Sequence, residues 1–329
     1  MPHRISTPLV GVLAVLAGGS GALAQVSFQL GSTYTQDFNT LPKPGDSPEN
    51  PRWINPPDAI QDNKPVTLPD WFSVRVGSFD PQHPNFGSNE TDTRIQVWRG
   101  SAGLSGNMVG LISFGTVNEV VVPNVGTFYT RNDGDTENAL GAVPTGSRTM
   151  HYGLWLTNTG NVPLVSVNVK YDGEMYRRGN ANDPGEIPHI EFAYALTNET
   201  PVADNTTDPE NSDIFNSPLI KHTYTDVPSL DFIATNLAGY DLAALGSNTN
   251  GNSDPYRMEI ADDINFALTS GQLWMPGQHL FLRWRHSNEN GNDGLAIDNL
   301  VVSGAAVPEP GALAALSLVG LAGLRRRRV

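Results

Sequence analysis

The segment Val165-Ser166-Val167-Asn168-Val169-Lys170-Tyr171 puts an apolar residue at every odd position and a polar one at every even position. A period of two places one set of side chains on a core and the other in water, which predicts a half-buried β-strand. β-rich runs of the same kind recur over 71–76, 111–122, 152–156, 190–196, 280–285 and 296–302, so seven or more strands are expected. The connectors between them, 246–255 and 288–294 among them, are rich in Asn, Gly, Asp and Pro, which suit turns. No helical pattern alternates with the strands. A parallel βαβ sheet is therefore disfavoured and an antiparallel sandwich favoured. Residues 237–245 have room for one or two helical turns. Two stretches, 41–69 and 197–218, hold too many Pro, Asn and Asp for strands and read as long excursions from the sandwich. With no internal repeat and no boundary, one domain is expected over 25–306.

The two ends have a different composition. Residues 1–24 run from a basic start at Arg4 through an apolar stretch, Leu9 to Ala17, to Ala22-Leu23-Ala24 before Gln25. That order is a secretory signal peptide, with the exported chain starting at Gln25. At the other end, over 307–329, Pro308-Glu309-Pro310 precedes an uncharged apolar run, 311–324, and then Arg325, Arg326, Arg327 and Arg328. As a helix that run reaches about 21 Å, short of a hydrocarbon core about 30 Å thick. The arginine block would hold its own end on the cytoplasmic side and leave the body outside, the topology the signal peptide also implies.

This tail resembles the PEP-CTERM sorting signal of Gram-negative and related bacteria: motif, apolar helix and arginine cluster, in that order. The resemblance implies handling by an exosortase and the secretion machinery. It also implies at least transient anchoring in the membrane through the C-terminal segment, and delivery to the cell envelope, the cell surface or an exopolysaccharide matrix.

Between the two ends, residues 25–306 carry 33 acidic and 15 basic side chains, a net of −18. A phosphate backbone is repelled by such a body, so nucleic acid is not expected as a partner, whereas divalent cations and a hydrated matrix suit it. The same acidity also serves plain solubility. The chain has no cysteine, which excludes thiol nucleophiles, Cys-ligated zinc, iron–sulfur clusters and disulfides.

Catalytic patterns are sparse. Gly45-Asp46-Ser47 and Asp80-Pro81-Gln82-His83 match fragments of an esterase signature, but Ser47 lies in a Pro-rich loop with no strand before it. Glu174, Glu186 and Glu191 could supply an acid and a nucleophile, yet no spacing selects a pair. The histidines at 83, 151, 189, 222, 279 and 286 form no metal-binding pattern. Oxygen-rich clusters at 132–137 and 288–298 suit either calcium or ordinary turns. Trp71, Trp155 and Trp284 fall inside strand patterns and are expected in the core. Trp53, in a loop, is the candidate for an exposed surface on which a glycan ring stacks.

Three segments together resemble a family of exported bacterial β-sandwich modules that precede such tails, most of them without known activity. They are Asp37-Phe38-Asn39-Thr40-Leu41-Pro42 with 68–72, 152–158 with 171–177, and 281–284 with 291–300. The last is also similar to the closing strand of MAM and concanavalin-like jelly rolls. There an Asp on that strand and an acidic residue on the first strand meet at a structural calcium, which here implies Asp298 and Asp37. MAM modules rely on cysteines and this chain has none, so only the sandwich and the ion carry over. Asp293, in a Gly-flanked turn five residues before Asp298, is a further candidate ligand.

The sequence thus predicts an all-β protein: a single antiparallel jelly-roll β-sandwich between a signal peptide and a C-terminal hydrophobic sorting helix. The expected role is structural or adhesive and not enzymatic, with extracellular polysaccharide as a partner. The alternatives are a glycan-binding module of the extracellular matrix and, less favoured, a polysaccharide hydrolase.

Overall fold

The structure, a computed structural model, describes residues 26–40, 68–76, 109–112, 116–117, 120–121, 139–142, 144, 149–179, 187–201, 217–247, 249–287 and 293–306. Among the described residues, fifteen strands and a few short helical turns form an all-β sandwich of two main sheets. The first sheet is built from β1 (Val26–Phe28), β3 (Trp71–Val76), β8 (Thr149–Asn158), β14 (His279–Ser287) and β10 (His189–Thr197). Two short strands, β11 (Thr225–Asp226) and β12 (Phe232–Ile233), close its edge on β10. The second holds β13 (Arg257–Asn265), β9 (Leu164–Arg177) and β15 (Gly294–Ala306) in order, with β2 (Thr33–Gln36) and β7 (Ala139–Ala142) side by side along β15. Outermost on β7 lies β4 (Val109–Ile112).

The run expected over 111–122 is split. After β4, a separate ribbon pairs β5 (Thr116–Val117) with β6 (Val120–Val121). Pairing is antiparallel with one exception: β1 runs parallel to β8, Val26 opposite Leu156. β1 and β3 share one edge of β8, β1 beside its last residues and β3 beside 149–154. The first and last parts of the domain meet where β2 pairs with β15, Gln36 opposite Leu300.

Alternation governs β9 as its sequence implies. Val167, Val169 and Tyr171 are buried in the core, and Asn168 and Lys170 are half-buried on the outer face. Beyond Asp172 both faces are covered, because Glu174 and Tyr176 are buried on the outer side as well. Trp71, Trp155 and Trp284 are buried, as expected, and so is Trp274. The helical turn anticipated over 237–245 is present at Tyr240–Leu242. Among the described residues no helix is long and apolar enough to cross a membrane. The signal peptide, the sorting segment and most of 41–69 and 197–218 lie outside the described residues.

Candidate functional site

Two outward faces hold the polar chemistry. On the first sheet, the odd positions of β8 point outward: His151, Gly153, Trp155 and Thr157 stand opposite Arg285, Arg283, Phe281 and His279 of β14. Across them lies the segment 217–224, whose short helix Pro218–Lys221 buries Leu219. Gly153 is small because Leu219 occupies its side-chain space: a Cβ there would lie 2.6 Å from Leu219 Cδ2. Arg283 donates from Nη1 to the Leu219 carbonyl at 3.1 Å, and its guanidinium sits 3.8 Å over the Tyr224 ring. Beneath is an aromatic floor in which Trp155 stacks on Phe281 at 6.2 Å and both meet Phe72 edge-on. His222 closes on Phe281 at 5.4 Å.

The electrostatics of this face follow from its pairing. Glu191 of β10 stands opposite Arg285, accepts from its Nη1, and lies 3.4 Å from His189 Nε2. The His189 contact, with Arg285, lowers the Glu191 carboxyl to about 2, so it is ionised at neutral pH. Burial, reinforced by Arg283 and Arg285, brings His151 down to about 3 and keeps its ring neutral. Four buried donors on this face have no hydrogen-bond partner among the described residues: His151 Nδ1 in its N–H tautomer, Trp155 Nε1, Arg283 Nε and Ser217 Oγ. These donors and the rings of the floor are buried, so the polar groups that the face presents are the half-buried Tyr224, His222, Arg283, Arg285 and the ionised Glu191.

On the second sheet, Asp172 of β9 faces Asp298 of β15 across the strands, and Glu174 faces Ala296. Asp298 is fully buried. A bulge follows it, with Asn299 at φ 51°, a left-handed conformation that Asn tolerates. This geometry aims the Asn299 amide at both carboxylates, donating to Asp172 Oδ2 at 3.1 Å and Asp298 Oδ2 at 3.2 Å. Tyr176 donates to Glu174 Oε2 at 2.7 Å.

The three candidate calcium ligands are not brought together. Asp37 is exposed and accepts from the Asn39 amide at 3.1 Å, closing its own turn. Asp293 accepts from the Gly179 amide at 2.6 Å, and burial raises its carboxyl. Five residues of strand separate it from Asp298, about 17 Å at strand rise. Among the described residues no group of three or more His, Asp or Glu is placed to hold a metal ion. Asn299 supplies the donor between Asp172 and Asp298. Asn299→Gly, which accepts the positive φ but removes the amide, should lower the unfolding free energy by about 2 kcal/mol in a urea titration. A loss under about 0.5 kcal/mol would show that the amide does not relieve the carboxylate pair.

Glu174 and Glu191 stand on opposite outer faces of the sandwich and cannot act as a pair. Trp53, Ser47, His83, Glu186, the clusters 132–137 and 288–292, and Pro308, Glu309, Pro310 and Arg325–Arg328 lie outside the described residues. Sequence reasoning missed Arg283, Arg285 and Tyr224. Its available signal was the alternation of Phe281, Arg283 and Arg285 along β14, which marks one outward face carrying charge.

No family model matches the chain, and no curated protein does. Among solved structures, similarity is found to TmCBM61 in complex with β-1,4-galactotriose, at 8% identity over 52% of this chain and 74% of that one, with a TM-score of 0.25. TmCBM27, a carbohydrate-binding module described for mannan recognition, is 9% identical over 82% of this chain and 95% of its own, with a TM-score of 0.28. The adhesin domain of Epf from Streptococcus pyogenes is 11% identical over 72% and 60%, with a TM-score of 0.25. At these scores none of them says what this chain binds.

Proposed function

We propose that this chain is an exported structural or adhesive protein, sorted by an exosortase through residues 307–329 to the cell surface or an exopolysaccharide matrix. The observation that carries this reading is the order of the tail, Pro308-Glu309-Pro310, apolar run and four arginines, behind a body of net charge −18. Deleting Val307–Val329 should move the protein from the membrane fraction to the medium, because no run within 25–306 has the length and apolarity of a span. Retention of the truncated protein in the membrane fraction would overturn the assignment.

A second reading, a glycan-binding module, is favoured by the outer face of the first sheet. There Tyr224, His222, Arg283, Arg285 and Glu191 are half-buried around the aromatic floor. Affinity electrophoresis in gels cast with galactan, mannan or alginate tests it. Retardation by one of these polymers, lost in Arg283→Ala with the fold intact by circular dichroism, supports it; equal mobility in all gels removes it.

A further inference from the structure

One end of the sandwich is built from segments that carry no charge, with the Glu199–Lys221 ion pair at its rim, two residues past the Thr197–His279 pairing. It is formed by four segments that the strand pairings bring together: 26–36, 152–169, 264–282 and the end of β15, 299–306. These 56 residues contain no Asp, Glu, Lys or Arg. At the density of charge in the rest of the body, a stretch of this size would hold about twelve.

The contacts show that the four segments are one cap. Leu164 and Trp274 exchange backbone hydrogen bonds at 3.0 Å, and Gly277 donates to the Asn158 carbonyl at 2.7 Å. Thr159 donates to the Phe28 carbonyl at 2.9 Å, and the Phe28 ring stacks on Trp274 at 5.3 Å. The fully buried Asn158 ties the turns together, donating from Nδ2 to the carbonyls of Trp274 at 2.9 Å and Val162 at 3.0 Å. A Cβ on Gly304 would lie 2.7 Å from the Phe28 ring, so β15 ends against the same cluster. At the tip of this cap three apolar side chains face outward: Leu268 at 83% exposure, Leu30 at 50% and Met275 at 48%.

The place where the chain leaves the body is decisive. Ala306, the last residue of β15, pairs with Leu164 inside this cap. The apolar run that begins at Gly311 therefore starts five residues from this cap, at most about 18 Å of extended chain. Glu309 is the one charge in that interval.

We infer that this cap is the membrane-facing end of the body and rests on the lipid surface, with Leu268, Leu30 and Met275 set into the headgroup boundary. The inference rests on the reading that residues 307–329 lodge in a bilayer. Charges are costly at a low-dielectric boundary, whereas uncharged Ser, Thr, Asn and Gln turns with a few apolar tips suit it. A body of −18 is repelled by an anionic leaflet unless its charges stand back by more than the Debye length, about 8 Å at physiological salt. They do. Along β9 the first charge, Lys170, is six residues behind Leu164, about 20 Å at strand rise. The nearest acid on β13, Asp263, pairs with Asn168, about 13 Å behind that end.

The absence of cysteine makes a direct test available. Single cysteines at Leu268, Leu30, Leu242 and Ala315 are labelled with a fluorophore in the exported chain, Gln25 to Val329. Each variant is reconstituted into phosphatidylcholine–phosphatidylglycerol vesicles that carry a shallow nitroxide lipid. Leu242, 74% exposed, lies at the opposite end, where Arg178 holds the Tyr240 and Ala243 carbonyls. Emission from labels at 268 and 30 should fall at least twofold while the label at 242 is unchanged. An unquenched label at 268 beside a quenched one at 315 would overturn the inference and leave the tail reading standing. Quenching at neither position overturns both. Equal quenching at 242, or energy transfer between labels at 268 on two chains, would also overturn it, the latter by showing that a second copy covers the cap.

Discussion

Replacing Trp284 by alanine is expected to lower the unfolding free energy by about 3–5 kcal/mol, the range for emptying a large buried aromatic site. Trp284 is fully buried at the centre of the core and joins both sheets. It stacks on Trp71 at 5.6 Å and on Tyr152 at 6.5 Å within the first sheet. Phe192 meets it edge-on at 5.1 Å, and Tyr171, from the second sheet, at 5.8 Å. Trp71 in turn donates its indole N–H to the Tyr34 hydroxyl of β2 at 2.8 Å. Removing one ring therefore leaves a cavity lined by rings that cannot bend into it, which places the loss at the upper part of the range. In a domain of this size the melting temperature should fall on the order of 10 °C. Leu242→Ala, at an exposed position, should change stability by less than about 0.5 kcal/mol. If the two variants melted alike, the aromatic stack would not be the centre of the core.

Most of that core could be seen in advance, because period two is a local signal. Trp71, Tyr152, Val167, Val169, Leu280, Leu282 and Ile297 all lie on the faces their alternation assigns. What escaped was non-local. β13 reads Arg-Met-Glu-Ile-Ala-Asp-Asp-Ile-Asn, and as an outermost strand it places only Ile260 and Ile264 fully into the core. A half-period pattern loaded with acids looks like loop. The outward direction of Asp298 was legible, but its burial was not, since that depends on the bulge at Asn299 and on the neighbouring strands.

The convergence of Asp37 and Asp293 on Asp298 failed for a related reason. Each carboxylate had a nearer backbone amide, at Asn39 and at Gly179, and the second of these is 114 positions away in sequence. The uncharged cap is the clearest case. All four of its segments are visible in the sequence, but only the pairings of Leu164 with Trp274 and with Ala306 make them one surface.

Asp70→Asn is expected to stabilise the protein, and by an amount that grows with pH. Asp70 sits just before β3 at φ 63°, a conformation Asn accepts as readily. It is buried, its carbonyl accepts from the Trp155 amide at 2.9 Å, and its Oδ1 has no hydrogen-bond partner among the described residues. Burial pushes its carboxyl up to about 7, and the Val26 amide offsets only part of that. Between the unfolded pKa near 4 and the folded value near 7, the folded state holds a proton that the unfolded state has lost. The stability this carboxyl contributes is thus present below pH 4 and is lost as pH rises through 7. The asparagine keeps an acceptor for Val26 and never ionises. Its advantage over the parent should widen by about 2–3 kcal/mol between pH 5 and pH 8. The parent profile alone does not reveal this. His151 and His286, both brought down to about 3 by burial, act the other way, with stability present above pH 6.5 and lost as pH falls. Their effect cancels in the difference between the two proteins. Urea titrations of both at pH 5, 6, 7 and 8 give that difference directly. A gap that stays constant across the series would mean that Asp70 is ionised in the folded state throughout, and that the space beneath Trp155 is wetter than its burial implies.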